Sequence, residues 1–248
     1  MINPHTALVV GANRGIGLAI TKKLLRSQAV HHVYASYRQT DTSGGLFEID
    51  DARLTRVRAD ITQAADLAEI AETIQSNGDQ PDLVINSAGI LHEPGVSPEK
   101  TLSHCQQESL MRQFMVNSIG PLLLAKSVMP LMPKNRISHF AVLSAMVGSI
   151  TDNRLGGWYG YRASKAALNQ FMRTLAVESR RSRPRLCITA IHPGTTDTSL
   201  SRPFQANVKP GKLYTTAQSA ERILQVVTAG EPEQSGRFVN WDGKPLPW

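Results

Sequence analysis

Cysteine is nearly absent: Cys105 and Cys187 are the two among 248 residues, and their separation matches no metal-ligand spacing. That excludes a disulfide scaffold and a thiolate zinc site, and no metal is expected. The pair reads as free thiols in a reducing compartment, with an interchain bridge as the alternative. Long apolar runs are also missing, since none approaches the roughly 18 residues that span a bilayer. The chain runs almost at once into Ala7-Leu8-Val9-Val10, without the charged start and small-residue cleavage site of a secretory signal. The expectation is a cytoplasmic protein with no membrane partner. Acidic residues are outnumbered, 20 against 27 lysines and arginines, for a net charge of +7. The densest basic stretch, Arg180-Arg181-Ser182-Arg183-Pro184-Arg185, falls at a predicted helix end, where cations favour the macrodipole. It carries no aromatic-interleaved platform, so no nucleic-acid partner is expected.

What is present is an ordinary globular composition, 41% hydrophobic and 19% charged, long enough to bury a substantial core. Short β-rich runs alternate with amphipathic helical ones. Strands are predicted at 6–10, 32–37, 54–58, 83–86, 137–144, 186–191 and 237–240. Helices are predicted at 15–27, from Thr62 as N-cap, at 103–132, at 158–180 and at 216–228. Strands separated by helices imply crossover connections. The fold class is therefore α/β: a Rossmann-type doubly wound parallel sheet of about seven strands with helices on both faces. No linker divides the chain, so residues 1–248 read as one domain. Segment 39–53 reads as a surface insertion, and the aperiodic segment 195–214 as a substrate lid.

The first strand ends in Gly11-Ala12-Asn13-Arg14-Gly15-Ile16-Gly17, where a helix opens. Glycines let the backbone approach a pyrophosphate, and a helix N-terminus offers unpaired N–H groups and positive dipole. The second strand closes on Tyr37-Arg38, with no carboxylate before Asp41 to hold an adenosine ribose. Arg38, with Arg14 in the turn, suits a 2′-phosphate instead. NADP(H) is preferred to NAD(H).

These features in order resemble the short-chain dehydrogenase/reductase family over nearly the whole chain. Asp60-Ile61 follows the third strand, where the family meets the adenine. Asn86-Ser87-Ala88-Gly89 is similar to the family's Asn-Asn-Ala-Gly, with Ser87 in place of one asparagine. Asn117, Ser144 and Tyr161-Arg162-Ala163-Ser164-Lys165 match the catalytic set, and Pro193-Gly194-Thr195-Thr196-Asp197-Thr198 the loop that holds the nicotinamide carboxamide and phosphates. The resemblance thus implies catalytic roles for Asn117, Ser144, Tyr161 and Lys165. It implies cofactor contacts from Gly11, Asn13, Arg14, Gly15, Ile16, Gly17, Arg38, Asp60, Ile61, Asn86, Ala88, Gly89, Tyr161, Lys165, Pro193, Gly194, Thr196 and Thr198. The wording around Tyr161 resembles the C-factor and carbonyl reductase subgroup. Sixteen residues separate Ser144 from Tyr161, against about a dozen in the family's usual motif, which suggests an added turn beside the substrate.

Tyr161 and Lys165 are four apart and share a helix face. A free phenol with a pKa of about 10 transfers protons sluggishly at neutrality, and a nearby ammonium is expected to lower it. Tyr161 would protonate the nascent alkoxide and Ser144 would stabilise the same oxygen; the resemblance implies that Lys165 also binds the ribose. The resemblance makes Asn117 a helix-bending residue that holds a water in the proton relay. Tyr159 has Ala163, not lysine, one turn on and is set aside; no histidine is given a catalytic role, though His192 is placed nearest the cofactor. Met146, Trp158, Leu200 and Phe204 are expected to line the pocket. The reading is an NADP(H)-dependent reductase of a ketone or aldehyde, reversible as an alcohol dehydrogenase and paired as a homodimer or homotetramer. The alternative is a dinucleotide-binding signalling or sensor protein.

Overall fold

The computed structural model describes residues 4–39 and 45–248. In chain order its elements are β1 (Thr6–Val10), α1 (Gly15–Leu25), β2 (His32–Tyr37), β3 (Leu54–Arg58), α2 (Ala64–Ser76) and β4 (Leu83–Asn86). They continue as α3 (Gln107–Phe114), α4 (Gly120–Val128), β5 (Ser138–Leu143), α5 (Tyr159–Ser182) and β6 (Leu186–His192). Short β7 (Thr195–Thr196) and β8 (Leu213–Tyr214), then α6 (Thr216–Thr228) and β9 (Arg237–Asn240), complete it.

The main sheet has seven strands in the order β3-β2-β1-β4-β5-β6-β9, every neighbouring pair parallel. Successive side chains of a strand point to opposite faces, and both faces here are covered. Leu8, Val10 and Val84 enter one apolar cluster with Leu67, Ile70 and Ile74 of α2, Leu124 of α4 and Leu168 of α5. Ala7, Val9 and Ile85 enter the other with Ile20 and Leu24 of α1 and Ile223 of α6. This two-sided burial explains why the strands read as continuous apolar runs. The strand order reverses between β1 and β4, which opens a crevice at their carboxyl ends, the usual ligand position in such sheets.

Several local expectations change. The predicted 103–132 helix is interrupted: a 3-10 turn at Leu102–His104 stands apart, and a π-helical turn at Met115–Ile119 separates α3 from α4. Gln107–Leu131 as a whole is long and apolar enough to cross a membrane, but half of its apolar window is buried inside the fold, as a core helix requires. Thr62 does not cap α2; its hydroxyl donates to Asp60 Oδ1 at 2.7 Å, and the helix starts at Ala64 after Gln63. The 39–53 insertion is not all surface, because Leu46 is fully buried and Arg56 Nε donates to its carbonyl at 3.0 Å; Asp41 lies outside the described residues. Segment 195–214 is not structureless either. β7 pairs with β8 at its root, and a 3-10 helix spans Arg202–Asn207.

Candidate active site

The glycine turn sits at the carboxyl end of β1. A Cβ on Gly17 would stand 2.2 Å from the Gly11 carbonyl oxygen and 2.3 Å from Ser87 Oγ, so no larger residue fits there. The Ser87 hydroxyl donates to the carbonyls of Val10 at 2.7 Å and Gly11 at 3.1 Å, which ties this turn to the loop after β4. Arg14 occupies the N-cap of α1 without a side-chain cap, and the first turn holds no acidic residue. The amide of Asn13 donates to the Gln39 carbonyl at 3.0 Å, joining the turn to the end of β2. Ile16 packs against the α1 side of the core. Thr198 reaches the turn from the far side, its methyl 3.3 Å from where a Cβ of Gly15 would lie.

At the outer end, a cleft of about 540 Å³ is lined by Arg38, Gln39, Arg58, Asp60, Gln63 and Asp66. Arg38 lies 3.6 Å from Glu93 Oε2, whose other oxygen is held by Arg112 at 2.7 Å. Burial would raise the Asp60 carboxyl, but hydrogen bonds from the Thr62 N–H and hydroxyl, with the Arg112 and Arg38 charges, hold it below its ordinary value. Ile61 is buried beside it, its carbonyl against Gly120. Arg58 was not singled out from the sequence. Its register opposite Tyr37 makes it Arg38's neighbour on the next strand, and only the strand pairing reveals that.

The inner end gathers the tyrosine, lysine, serine and first asparagine. Asn117 lies in the π-helical turn, fully buried. Its Oδ1 accepts the Ile90 N–H at 2.8 Å, and its Nδ2 donates to the Ile90 carbonyl at 2.9 Å and to Ser164 Oγ at 3.1 Å. The amide is thus tied to the loop that follows Asn86, Ala88 and Gly89. In that loop, Asn86 Oδ1 accepts the Ala88 N–H at 3.1 Å. A Cβ on Gly89 would lie 3.3 Å from Asn117 Oδ1 and 3.5 Å from Lys165 Nζ. Lys165 donates to the Leu143 carbonyl at 2.8 Å, one residue before Ser144.

The expected mutual tuning of tyrosine and lysine takes another form. Lys165 Nζ stands 5.8 Å from the centre of the Tyr161 ring, committed to the Leu143 carbonyl. Burial alone pushes the Tyr161 phenol up to about 12 and the Lys165 ammonium down to about 8. The phenol therefore holds its proton at neutral pH and is not a phenolate.

Three of the four expected pocket residues come together: Trp158, Leu200 and Phe204 pack against Leu91, Ala145 and Tyr161, joined by Val147. Met146 is outside that cluster and 36% exposed, because the 3-10 turn at Met146–Gly148 directs it outward. The Trp158 and Phe204 rings meet edge to face at 5.0 Å, so the lengthened 144–161 segment and segment 195–214 form one wall. Gly156, Gly157 and Trp158 are consecutive left-handed residues, with φ of 65°, 66° and 53°. Tryptophan in that region is strained, and the Trp158 N–H is held by the Glu99 carbonyl at 2.5 Å.

Glu99 was not legible as part of the site. It is 2% exposed, and its carboxylate accepts the Gly160 N–H and Gln113 Nε2, both at 3.1 Å, supplying the N-terminal cap that α5 lacks. Asn169 was also missed, although its spacing four after Lys165 was a usable signal; it accepts the Ser144 hydroxyl at 2.6 Å. Tyr159 is 43% exposed, outside the site. His192 is half-buried at the end of β6, and desolvation pushes it down to about 4. His92 instead meets segment 195–214, its Nε2 3.1 Å from the Ser199 carbonyl. Pro193 and Gly194 follow β6, where a Cβ on Gly194 would lie 2.8 Å from the Tyr214 ring. Thr196 Oγ1 bonds Ser219 Oγ at 2.7 Å.

Residues 5–209 match the family model for short chain dehydrogenase. The short-chain dehydrogenase RED3 of Pyricularia oryzae is 31% identical over all of both chains. C-signal of Myxococcus xanthus is 30% identical across 67% of this chain and 92% of its own length. Among solved structures, the NADPH-bound carbonyl reductase from chicken fatty liver superimposes with a TM-score of 0.83 at 27% identity, covering 98% of this chain and 94% of that one. With its parallel seven-stranded sheet and this arrangement at the β1–β4 crevice, the chain belongs to the short-chain dehydrogenase family.

Proposed function

We propose that this chain is an NADP(H)-dependent oxidoreductase that reduces a ketone or aldehyde to an alcohol, reversibly, within one domain spanning residues 1–248. The observation that carries the reading is the buried network in which Asn117 donates to Ser164, Ser164 donates to the Tyr161 carbonyl, and Lys165 reaches from beside the Tyr161 ring to the Leu143 carbonyl, one residue before Ser144. The donor set suits the cofactor. The first turn of α1, opening at Gly15, offers unpaired N–H groups to a pyrophosphate, and Asp60 with Ile61 flank the adenine end. Asn86, Ala88 and Gly89 lie along the middle, and Pro193, Gly194, Thr196 and Thr198 close over the nicotinamide side. Arg14, Arg38 and Arg58 are the cations available to a 2′-phosphate, which favours NADP(H) over NAD(H); the chicken relative carries NADPH.

When bound, NADPH supplies the hydride. Tyr161, protonated at neutral pH, donates its proton to the developing alkoxide, and Ser144 donates a hydrogen bond to the same oxygen. Lys165 would hold the ribose hydroxyls of the bound cofactor. Its charge, kept near its pKa of about 8 by burial, eases loss of the phenolic proton. Asn117 fixes the helix and the inner end of the proton path. The wall of Trp158, Leu200 and Phe204 suits a small apolar carbonyl compound. Exposed Leu102, Met111, Tyr159 and Val177 around α3 and α5 support a homodimer or homotetramer, and two free cysteines support a cytoplasmic setting.

The test is Tyr161→Phe, which removes the transferable proton and little else. Turnover should be abolished while NADPH binding, followed by calorimetry, stays near the wild-type value. A Phe variant that still turns over removes the proton-transfer assignment. A wild-type chain that binds NADPH but oxidises none across a broad carbonyl panel would favour a sensor role of the kind the C-signal relative suggests.

A further inference from the structure

Ser144 has one hydrogen to donate, and in the structure it goes to Asn169 Oδ1 at 2.6 Å. Both residues are buried, 4% and 2% exposed, and Asn169 Nδ2 has no hydrogen-bond partner among the described residues. Leaving a buried donor unpaired is costly, so this nitrogen is out of place beside Asn117, whose amide is fully engaged. A carboxamide turned by half a revolution exchanges its oxygen and nitrogen with almost no change of shape, and its partners decide which way it faces. Asn169 follows Lys165 by four residues and Tyr161 by eight, so the three form one stripe along α5.

We propose that Asn169 is a positioning residue that sets the direction of Ser144's hydrogen bond, an inference resting on the carbonyl-reductase reading above. With Oδ1 toward the serine, the hydroxyl is spent on the amide and can only accept at the reaction centre. With Nδ2 toward it, the serine oxygen accepts from the amide and its own O–H turns to the substrate oxygen. The turned state pairs the orphaned nitrogen and leaves only a carbonyl oxygen unsatisfied, the more tolerable of the two orphans. An arriving carbonyl oxygen, which accepts and cannot donate, selects that state. No covalent bond changes; a single O–H is re-aimed.

The decisive variant is Asn169→Asp, which keeps shape and acceptor but loses the donor when ionised. NADPH-dependent reduction of the best carbonyl from the panel should fall at least about tenfold in kcat at neutral pH, the scale of one misdirected hydrogen bond. The Kd for NADPH should stay near wild type. Protonation makes the aspartic acid a donor, so the variant's kcat relative to wild type should recover as pH falls. In a Ser144→Ala background the same change should add no further loss, because the group it acts through is gone. Asn169→Leu, uncharged, serves if the aspartate variant does not fold; it too should lose kcat and be silent in the Ser144→Ala background. Wild-type kcat in both variants, or losses that multiply with Ser144→Ala, would overturn the proposal alone. A wild-type chain that reduces no carbonyl would instead sink the reductase reading and this inference with it.

Discussion

Two residues in the site are held away from their ordinary protonation behaviour by burial, and the two shifts act on stability in opposite directions. Lys165 is pushed down to about 8 in the fold, so between there and its ordinary value near 10.4 the unfolded chain binds the extra proton. Stability should therefore rise with pH across that window. Tyr161 is pushed up to about 12, so above its ordinary value near 10 the folded chain keeps a proton the unfolded chain loses, and stability should then fall. Urea midpoints of the ligand-free protein from pH 7.5 to 11 should trace a rise and then a decline; in Lys165→Met the rise should vanish. A flat profile in the wild type would mean the ammonium is better solvated than its contacts imply. The residue types and order of the site were legible, because spacing on a helix and the ends of apolar strands locate them. What the spacing hid was partnership. Nothing local says that Lys165 spends a bond on Leu143, or that Ser144 looks to Asn169, since those partners lie on a strand and a helix that only the sheet brings together.

At the scale of elements, the start of α5 is the instructive case. The helix begins with no acidic residue in its first turn and no side-chain cap from Trp158, yet Tyr161 is its third residue. Glu99 compensates from a distant loop, accepting the Gly160 N–H and placing a carboxylate at the positive end of the helix. Glu99→Ala should destabilise the protein by about 1–3 kcal/mol, the cost of stranding buried partners. At roughly 2–4 °C per kcal/mol for a chain of this size, that is a clear shift in a thermal melt. The kcat should fall as well, since Tyr161 loses its anchored turn; an unchanged melt would remove Glu99 from this role. The strands and most helices were readable from periodicity, but the π-helical turn at Met115–Ile119 was not. Apolar spacing there is consistent with an unbroken helix, and the extra residue is accommodated through packing against Ile61 and the Asn117–Ile90 bonds. Segment 195–214 looked aperiodic because its own regular structure is limited to two-residue strands paired at its root and one 3-10 helix. The rest of its order comes from outside it, through a ring contact to Trp158 and a contact to His92.

At the scale of the whole molecule, the proposed cofactor turns on the cations at the outer cleft, Arg38 and Arg58. Arg38 is 42% exposed and only 3.6 Å from a glutamate that Arg112 already holds closely, so it can exchange that loose surface pair for a phosphate at little cost. Arg38→Gln should weaken NADPH binding about ten- to a hundredfold, as expected for a charge-assisted bond to phosphate, while NADH binding stays near its starting value. Equal losses for both cofactors, measured by titration calorimetry, would place Arg38 elsewhere. The strand order carries a consequence in time. β1, β2 and β3 pair with their neighbours in sequence and bring α1 and the glycine turn with them. β5, β6 and β9, with α5 between, must wait for the later half of the chain. Contacts between distant segments form slowly, and a chain emerging from its start folds its early units first. The half that carries the glycine turn can thus be shaped before Tyr161 has been laid down.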